Sequence, residues 1–196
     1  MSTELVFATN NRHKIEEVAA AAGSGFKLLT LDDIGCFDEI EETGNTFNAN
    51  ASIKSRFIFD KYNISCFGDD SGLMVDSLNG EPGVYSARYA GKHGDHAANI
   101  RKVLDKLGEG GERRARFITV ISLIWNGNEH FFEGVLEGQI TPEPIGDKGF
   151  GYDPIFKPEG FEITLAQMTM EEKNRISHRA RAVQKLVSFL QSITAA

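Results

Sequence analysis

The sequence predicts an α/β fold organised around a long mixed β-sheet, and three patterns carry that prediction. Near the start, an apolar segment gives way to a polar turn, an amphipathic helical pattern and a second apolar segment. In the middle, two long and nearly continuous apolar runs flank an Asn-Gly pair. At the end, apolar residues recur at helical spacing.

Glu4 to Ala8 reads as the first strand, followed by the turn Thr9-Asn10-Asn11-Arg12-His13-Lys14. Ile15, Val18, Ala19 and Ala22 then recur as one face of a helix that stops at Gly23 and Gly25, and Phe26 to Leu31 resumes as strand. Strand, helix and strand in succession imply an early parallel pairing. An acidic loop, Asp38 to Gly44, precedes a second helix from Thr46 to Tyr62, with Phe47, Ala51, Lys54 and Ile58 on one side. The apolar run Ile64 to Phe67 breaks at Gly68-Asp69-Asp70-Ser71-Gly72, which reads as a turn, and Leu73 to Val75 as a brief strand after it. Asn79 to Gly94 is rich in Gly and Pro and reads as loop, a lid or a structural connection, and Ala97 to Leu107 as helix. Arg116 to Trp125 and Phe131 to Ile140 form a hairpin about Asn126-Gly127. Being apolar on both faces, this ribbon needs cover on both sides and belongs at the centre of a mixed sheet. Val183, Leu186, Val187, Leu190 and Ile193 mark the last helix, whose start is either a capping box at Thr169 and Glu172 or a cap at Ser177.

A chain of 196 residues suits one domain, residues 1–196, with a sizeable core. Its net charge of −7 argues against a general binder of nucleic-acid polymers or anionic membranes, both of which reward excess Lys and Arg. Cys36 and Cys66 lack metal-knuckle spacing and read as two buried thiols of a cytoplasmic protein, a single disulfide being the alternative. No leader-like pattern opens the chain and no apolar segment approaches membrane-spanning length. The remaining histidines, His93, His96 and His130, show no ligand spacing.

Four places offer chemistry. The turn from Thr9 to Lys14 joins strand to helix, so free backbone N–H groups and a positive dipole end meet there, which attracts phosphate; an ordinary helix cap is the alternative. Glu41-Glu42 and Asp69-Asp70 are carboxylate pairs. Mg²⁺ takes one or two protein carboxylates plus phosphate oxygens and water, and a solvated acidic loop or turn is the competing reading. Phe150 lies between glycines in Lys148-Gly149-Phe150-Gly151-Tyr152-Asp153-Pro154, where it can lie flat under a planar ring. Such stacking is worth roughly 1–3 kcal/mol, and Asp153 can accept from a ring N–H; a Gly-Pro surface loop whose aromatics return to the core is the competing reading. Lys173, Ser177, His178 and Arg179 cluster at the last helix and can donate to a carbonyl oxygen or a phosphate, a solvated helix face being the alternative.

In order along the chain, Thr9-x-Asn11-x-x-Lys14, Glu41-Glu42-Thr43-Gly44, Asp69-Asp70-Ser71-Gly72-Leu73, Pro82-Gly83-Val84-Tyr85-Ser86-Ala87-Arg88-Tyr89, Phe150-Gly151-Tyr152-Asp153-Pro154 and Ser177-His178-Arg179 resemble the inosine triphosphate pyrophosphatase family. The resemblance implies an elongated fold with a long central mixed sheet and flanking helices, two lobes around a cleft, and a homodimer. It implies Mg²⁺-dependent cleavage of dITP, ITP and XTP between the α- and β-phosphates. It also implies that Thr9, Asn10, Asn11, Arg12, His13 and Lys14 hold the triphosphate, and that Glu41 and Asp70 serve the metal. Asp70 further deprotonates or orients the attacking water, with Asp69 as a supporting neighbour. Ser71 contacts the substrate, while Phe150, Gly151, Tyr152 and Asp153 form the base pocket with Lys173, His178 and Arg179. The alternatives are a broader pyrophosphatase of modified nucleotides and a non-catalytic nucleotide sensor. Two positions depart from the family pattern: Asn10 stands where Gly is frequent, so the turn relies on the tolerance of Asn for left-handed backbone. Ala49 stands where many relatives carry Glu.

Overall fold

A computed structural model describes residues 3–194. In chain order the elements are β1 (Glu4–Phe7), α1 (Arg12–Ala22), β2 (Lys27–Leu29), α2 (Phe47–Tyr62), β3 (Cys66–Val75), α3 (His96–Leu107), β4 (Arg114–Trp125), β5 (Asn128–Ile140), β6 (Phe156–Pro158), α4 (Met170–Ile176) and α5 (His178–Thr194). The strands form one six-stranded sheet in the order β2-β1-β3-β4-β5-β6. β1 runs parallel to both β2 and β3, and β5 runs antiparallel to β6, so the sheet is mixed as the alternating sequence implies. Asn126 and Gly127 both take positive φ (49° and 78°), the requirement of the tight turn between β4 and β5.

The chain divides into two compact units. The first comprises the chain up to Asp70, Thr119–Gly134 and everything from Arg179 onward; the second comprises Ser71–Ile118 and Val135–His178. In the first unit the strands alternate between two cores. Leu5, Phe7, Phe67, Ile121 and Leu123 pack with Val18 of α1 and Val183, Leu186 and Leu190 of α5. Val6, Ala8, Cys66 and Ile124 pack with Ile58 of α2, Leu31 and Cys36. The period-two alternation of a strand therefore places helices on both faces of the sheet in this unit. Phe7 and Phe67 stack at 4.5 Å between centroids, with Phe26 edge-on to Phe67 at 5.8 Å. In the second unit one core joins Leu73 and Val75 of β3, Val103 and Leu107 of α3, Phe117 of β4, Leu136 and Ile140 of β5, and Tyr152, Ile155 and Phe156.

The expected turn at Gly68 to Gly72 does not exist: β3 runs uninterrupted from Cys66 to Val75. Its glycine serves packing instead, because a Cβ on Gly68 would lie 2.6 Å from the Ala51 carbonyl oxygen and 2.8 Å from Lys54 Cβ. β2 is shorter than the apolar run Phe26 to Leu31. The Asp33 carboxylate accepts from the Thr30 N–H (2.7 Å) and hydroxyl (2.8 Å) and draws the chain into a short 3₁₀ turn. The two candidate starts of the last helix are both used. Thr169 and Glu172 form the capping box of α4, and an extended Ser177 (ψ 151°) separates α4 from α5. β6 gave no apolar run, being three residues long at the sheet edge and ending in a proline. Both cysteines are free and buried, so the disulfide alternative falls; burial pushes the Cys66 thiol up to about 12. No helix among the described residues is long and apolar enough to cross a membrane.

Phe67 is fully buried beneath two aromatic neighbours. Phe67→Ala is expected to lower unfolding free energy by about 3–5 kcal/mol in urea titrations, and Phe67→Leu by visibly less.

Candidate functional site

In the first unit the sequence builds a charged cluster around the middle of β3. Because Gly68 lacks a side chain, α2 sits directly on the strand, and its Asn50 and Lys54 reach the next residue on that face, Asp70. Asn50 bridges two segments: its Nδ2 donates to Asp70 Oδ2 (3.0 Å) while its Oδ1 accepts from the Gly44 N–H (2.8 Å), which ties down the acidic loop. Lys54 Nζ donates to Glu42 Oε1 at 2.5 Å. Asp69 faces the opposite way. Its Oδ1 accepts from Lys14 Nζ (2.8 Å) and its Oδ2 lies 3.4 Å from Arg179 Nε, while the Arg179 guanidinium also donates to the buried Glu17 of α1.

These surroundings drive the adjacent carboxyls in opposite directions. Burial favours the neutral form of Asp69, but the charges of Lys14, Arg179 and Lys54 outweigh it and hold this carboxyl well below the usual range. Burial also acts on Asp70, and there it prevails over Lys54 and Lys14, with the Glu42 charge adding to it, so the Asp70 carboxyl is raised. Burial opposes the charge of Lys54, yet Asp69, Glu42 and Asp70 together raise it. Burial lowers Lys14 against the pull of Asp69. Two neighbouring acids with pKa values pushed apart is the arrangement that separates an ion-pair anchor from a proton acceptor.

The turn before α1 does form a helix cap. The Asn11 side chain accepts from the Lys14 N–H (3.3 Å) and Thr9 Oγ1 from the Asn11 N–H (3.2 Å), leaving the α1 N-terminus with Asn10, Arg12 and His13 at the exposed end. Asn10 is not among the described non-glycine residues with positive φ, which are Asn63, Asn79 and Asn126, so the turn needs no left-handed residue there.

The second unit builds a separate cluster. Gly149 has φ 73°, and a Cβ on it would meet Asp153 Oδ2 at 2.0 Å, so only glycine lets Asp153 fold back. Asp153 Oδ2 accepts from the Phe150 N–H (2.9 Å) and from Lys173 Nζ (2.5 Å), both polar side chains being buried. The same ammonium stands 5.1 Å from the Phe150 ring centroid, and the His96 ring lies 6.4 Å from it. Tyr152 is spent on structure: its hydroxyl donates to the Ser86 carbonyl (2.8 Å). Ser86 Oγ in turn accepts from the Leu73 N–H (3.0 Å) and donates to the Gly83 carbonyl (2.6 Å), so the 82–91 segment is a bolted connection. The His178 imidazole stacks on Phe117 at 4.7 Å and 10°.

The structure thus sorts the sequence candidates. Lys14, Asp69 and Asp70 belong to one cluster, and Phe150, Asp153 and Lys173 to another. Glu41 is exposed, and its neighbour Glu42 is the acid whose charge acts on Asp70. Arg179 pairs with Glu17 and Asp69 of the first unit, while His178, its neighbour in sequence, belongs to the second. Asp153 was expected to accept from a ring N–H, yet its Oδ2 already accepts from Phe150 and Lys173. Missed were Glu17, Asn50 and Lys54. Lys54 did leave a signal, a charged residue on the apolar side of a helix.

A family model described as the Ham1 family matches residues 5–189. The dITP/XTP pyrophosphatase of Flavobacterium psychrophilum is 47% identical over 189 residues, covering 96% of this chain and 100% of the relative. That of Christiangramia forsetii is 49% identical over 187 residues, covering 95% and 98%. Among solved structures, the Staphylococcus aureus Ham1 protein superposes with a TM-score of 0.88 at 41% identity, over 97% of this chain and 99% of that one. A HAM1 protein from Coxiella burnetii gives 0.88 at 39% identity over the same shares.

The opposed carboxyls make opposed predictions, read by urea unfolding at pH 7 in EDTA. Asp69→Asn takes its carboxylate from partly buried Lys14 and leaves the buried Arg179 with Glu17, and is expected to cost about 3–5 kcal/mol. Asp70→Asn removes a charge that burial disfavours and is expected to stabilise. With a lowered folded pKa, Asp69 contributes stability that is present above the unfolded carboxyl range near pH ~4 and is lost as pH falls through the folded value. Asp69→Asn should flatten that acid limb.

Proposed function

The chain belongs to the Ham1 family, and from that premise we propose that it hydrolyses non-standard purine nucleoside triphosphates, dITP, ITP and XTP, to the monophosphate and pyrophosphate. The observation that carries the chemistry is the placement of Asp70, its carboxyl held by the Asn50 amide at 3.0 Å beside Lys54 and Lys14 and raised by burial. A carboxylate whose pKa is lifted toward neutrality is a better proton acceptor than a solvated one. Asp70 takes the proton of a water whose oxygen attacks the α-phosphorus; the bond from that phosphorus to the α–β bridging oxygen breaks, and pyrophosphate leaves. Lys14, Lys54 and the N-terminal amides of α1 with Thr9, Asn11 and their exposed neighbours hold the phosphates.

The donor set fits a divalent cation. Among the described residues no cluster of three or more His, Cys, Asp or Glu stands ready for a metal. Mg²⁺, however, needs only one or two protein carboxylates when phosphate oxygens and water complete its shell. Asp70 and Glu42 would hold it, with Glu42 taking the place that Glu41 has in the sequence reading. The ion, when bound, supplies charge neutralisation for the phosphates and polarises the water. In the second unit Phe150 offers a stacking face, while Lys173, held by Asp153, and His178 are the donors for a 6-keto oxygen. Adenine presents a 6-amino donor to the same groups and leaves both sides unpaired.

Purified protein with Mg²⁺ and a nucleotide panel tests this reading. Pyrophosphate release from dITP and XTP is expected to exceed that from ATP by at least ~100-fold in kcat/KM. Orthophosphate as product, or equal use of ATP, would refute it, and binding without turnover would make the protein a sensor. Lys14→Ala is expected to raise KM and leave base preference unchanged.

A further inference from the structure

In the first unit every acid that faces the cluster is already engaged. Glu17, Glu42, Asp69 and Asp70 meet Lys14, Lys54 and Arg179. One oxygen of Glu42 takes the Lys54 ammonium at 2.5 Å. Both oxygens of Asp69 face cations, Lys14 at 2.8 Å and Arg179 at 3.4 Å. An ammonium has donors only and cannot sit in the shell of a divalent cation, so a metal approaching these oxygens must displace it and overcome its repulsion. A triphosphate is the polyanion able to draw the ammonium groups away.

From these pairings we infer that Lys54, together with Lys14, is an exchange residue. Lys54 occupies Glu42, one carboxylate of the cation site, in the nucleotide-free protein and moves to the triphosphate when substrate arrives, so that divalent cation and nucleotide bind with positive coupling. The inference rests on the reading of this unit as a triphosphate and cation site. It adds a role for Lys54 that phosphate binding alone does not require: guarding Glu42 against the metal. Arg179 is the fixed member of the set, since the fully buried Glu17 holds its guanidinium from the other side. The two lysines are the members with somewhere to go, because Lys14 is held by Asp69 and Lys54 by Glu42, each on a flexible stem.

The consequence is a split that a merely structural lysine cannot produce. Lys54→Gln releases Glu42, so nucleotide-free protein is expected to bind Mn²⁺ about fivefold or more tighter than wild type, read from the loss of the free-ion paramagnetic resonance signal. The same variant is expected to bind Mn²⁺ with the non-hydrolysable α,β-methylene analogue of dITP about fivefold or more weaker. Lys54→Arg keeps the charge at Glu42 and should show no tightening of Mn²⁺. Lys61→Gln, which removes the same charge from the exposed pair with Asp38 on the same helix, should change neither affinity. Should Lys54→Gln fail to fold by circular dichroism, Lys54→Met, which keeps the buried stem and removes the same charge, runs the same test through Glu42. Mn²⁺ affinity that is unchanged or weaker in the folded variant overturns the inference, as does tighter binding of metal and analogue together. Because the Mn²⁺ titration involves neither nucleotide nor turnover, its failure is distinguishable from failure of the nucleotide panel.

Discussion

Successive residues of a strand point to opposite faces, and at Asp69 and Asp70 that constraint decides what the site can be. Two carboxylates adjacent in sequence suggest a shared cation. Period two forbids it: Asp69 turns with Phe67 toward the α1 and α5 side, Asp70 turns with Gly68 toward α2. Each therefore acquires its own partners. On one side a lysine and an arginine fix a permanent anion; on the other an amide and the proximity of α2 surround an acid that burial disfavours as a charge. The chemistry follows from the difference between the faces, and the difference follows from the strand being continuous through the motif.

The close seat of α2 on that strand depends on Gly68. Any side chain there would collide with the α2 backbone at Ala51, and the helix would have to move off the strand. Asn50 lies one residue before Ala51 and Lys54 three residues after it, so the displacement would be felt first by the groups that contact Asp70 and Glu42. On the reverse face the anchor is electrostatic. Glu17, Arg179, Asp69 and Lys14 form a chain of alternating charges that joins α1, α5 and β3, and burying any one of them without its neighbours would be costly. One face is thus positioned by contact and the other by charge.

The fold was legible where the signal was local. The β1–α1 turn, the Asn126-Gly127 hairpin, α2, α3 and the capping box at Thr169 were all visible as spacing or as turn chemistry. The reading failed where local and tertiary demands differ. Gly, Asp and Ser are turn formers, so Gly68 to Gly72 looked like a turn; only a helix pressed against the strand gives Gly68 another reason. Residue types at the site were legible and their grouping was not. Nothing in spacing tells Glu41 from Glu42, or assigns Arg179 to Glu17, which lies far from it in sequence. The bond from the Tyr152 hydroxyl to the Ser86 carbonyl, 66 residues away in the chain, was equally beyond spacing.

The departure at Ala49 has a physical setting as well. The loop carrying Glu42 passes so close to the first turn of α2 that a Cβ on Gly44 would lie 2.7 Å from the Ala49 Cβ and 2.6 Å from Asn50 Oδ1. Gly44 and Ala49 are the small pair that permits this crossing. With the loop drawn in, its N–H bonds to Asn50, and Glu42 comes within reach of Lys54. An acid at position 49 would add charge to a region that already holds Glu42 and Asp70, each facing Lys54. Its absence leaves Glu42 and Asp70 within the field of both Lys54 and Lys14, while Asp69, Glu42 and Asp70 together keep Lys54 charged despite burial.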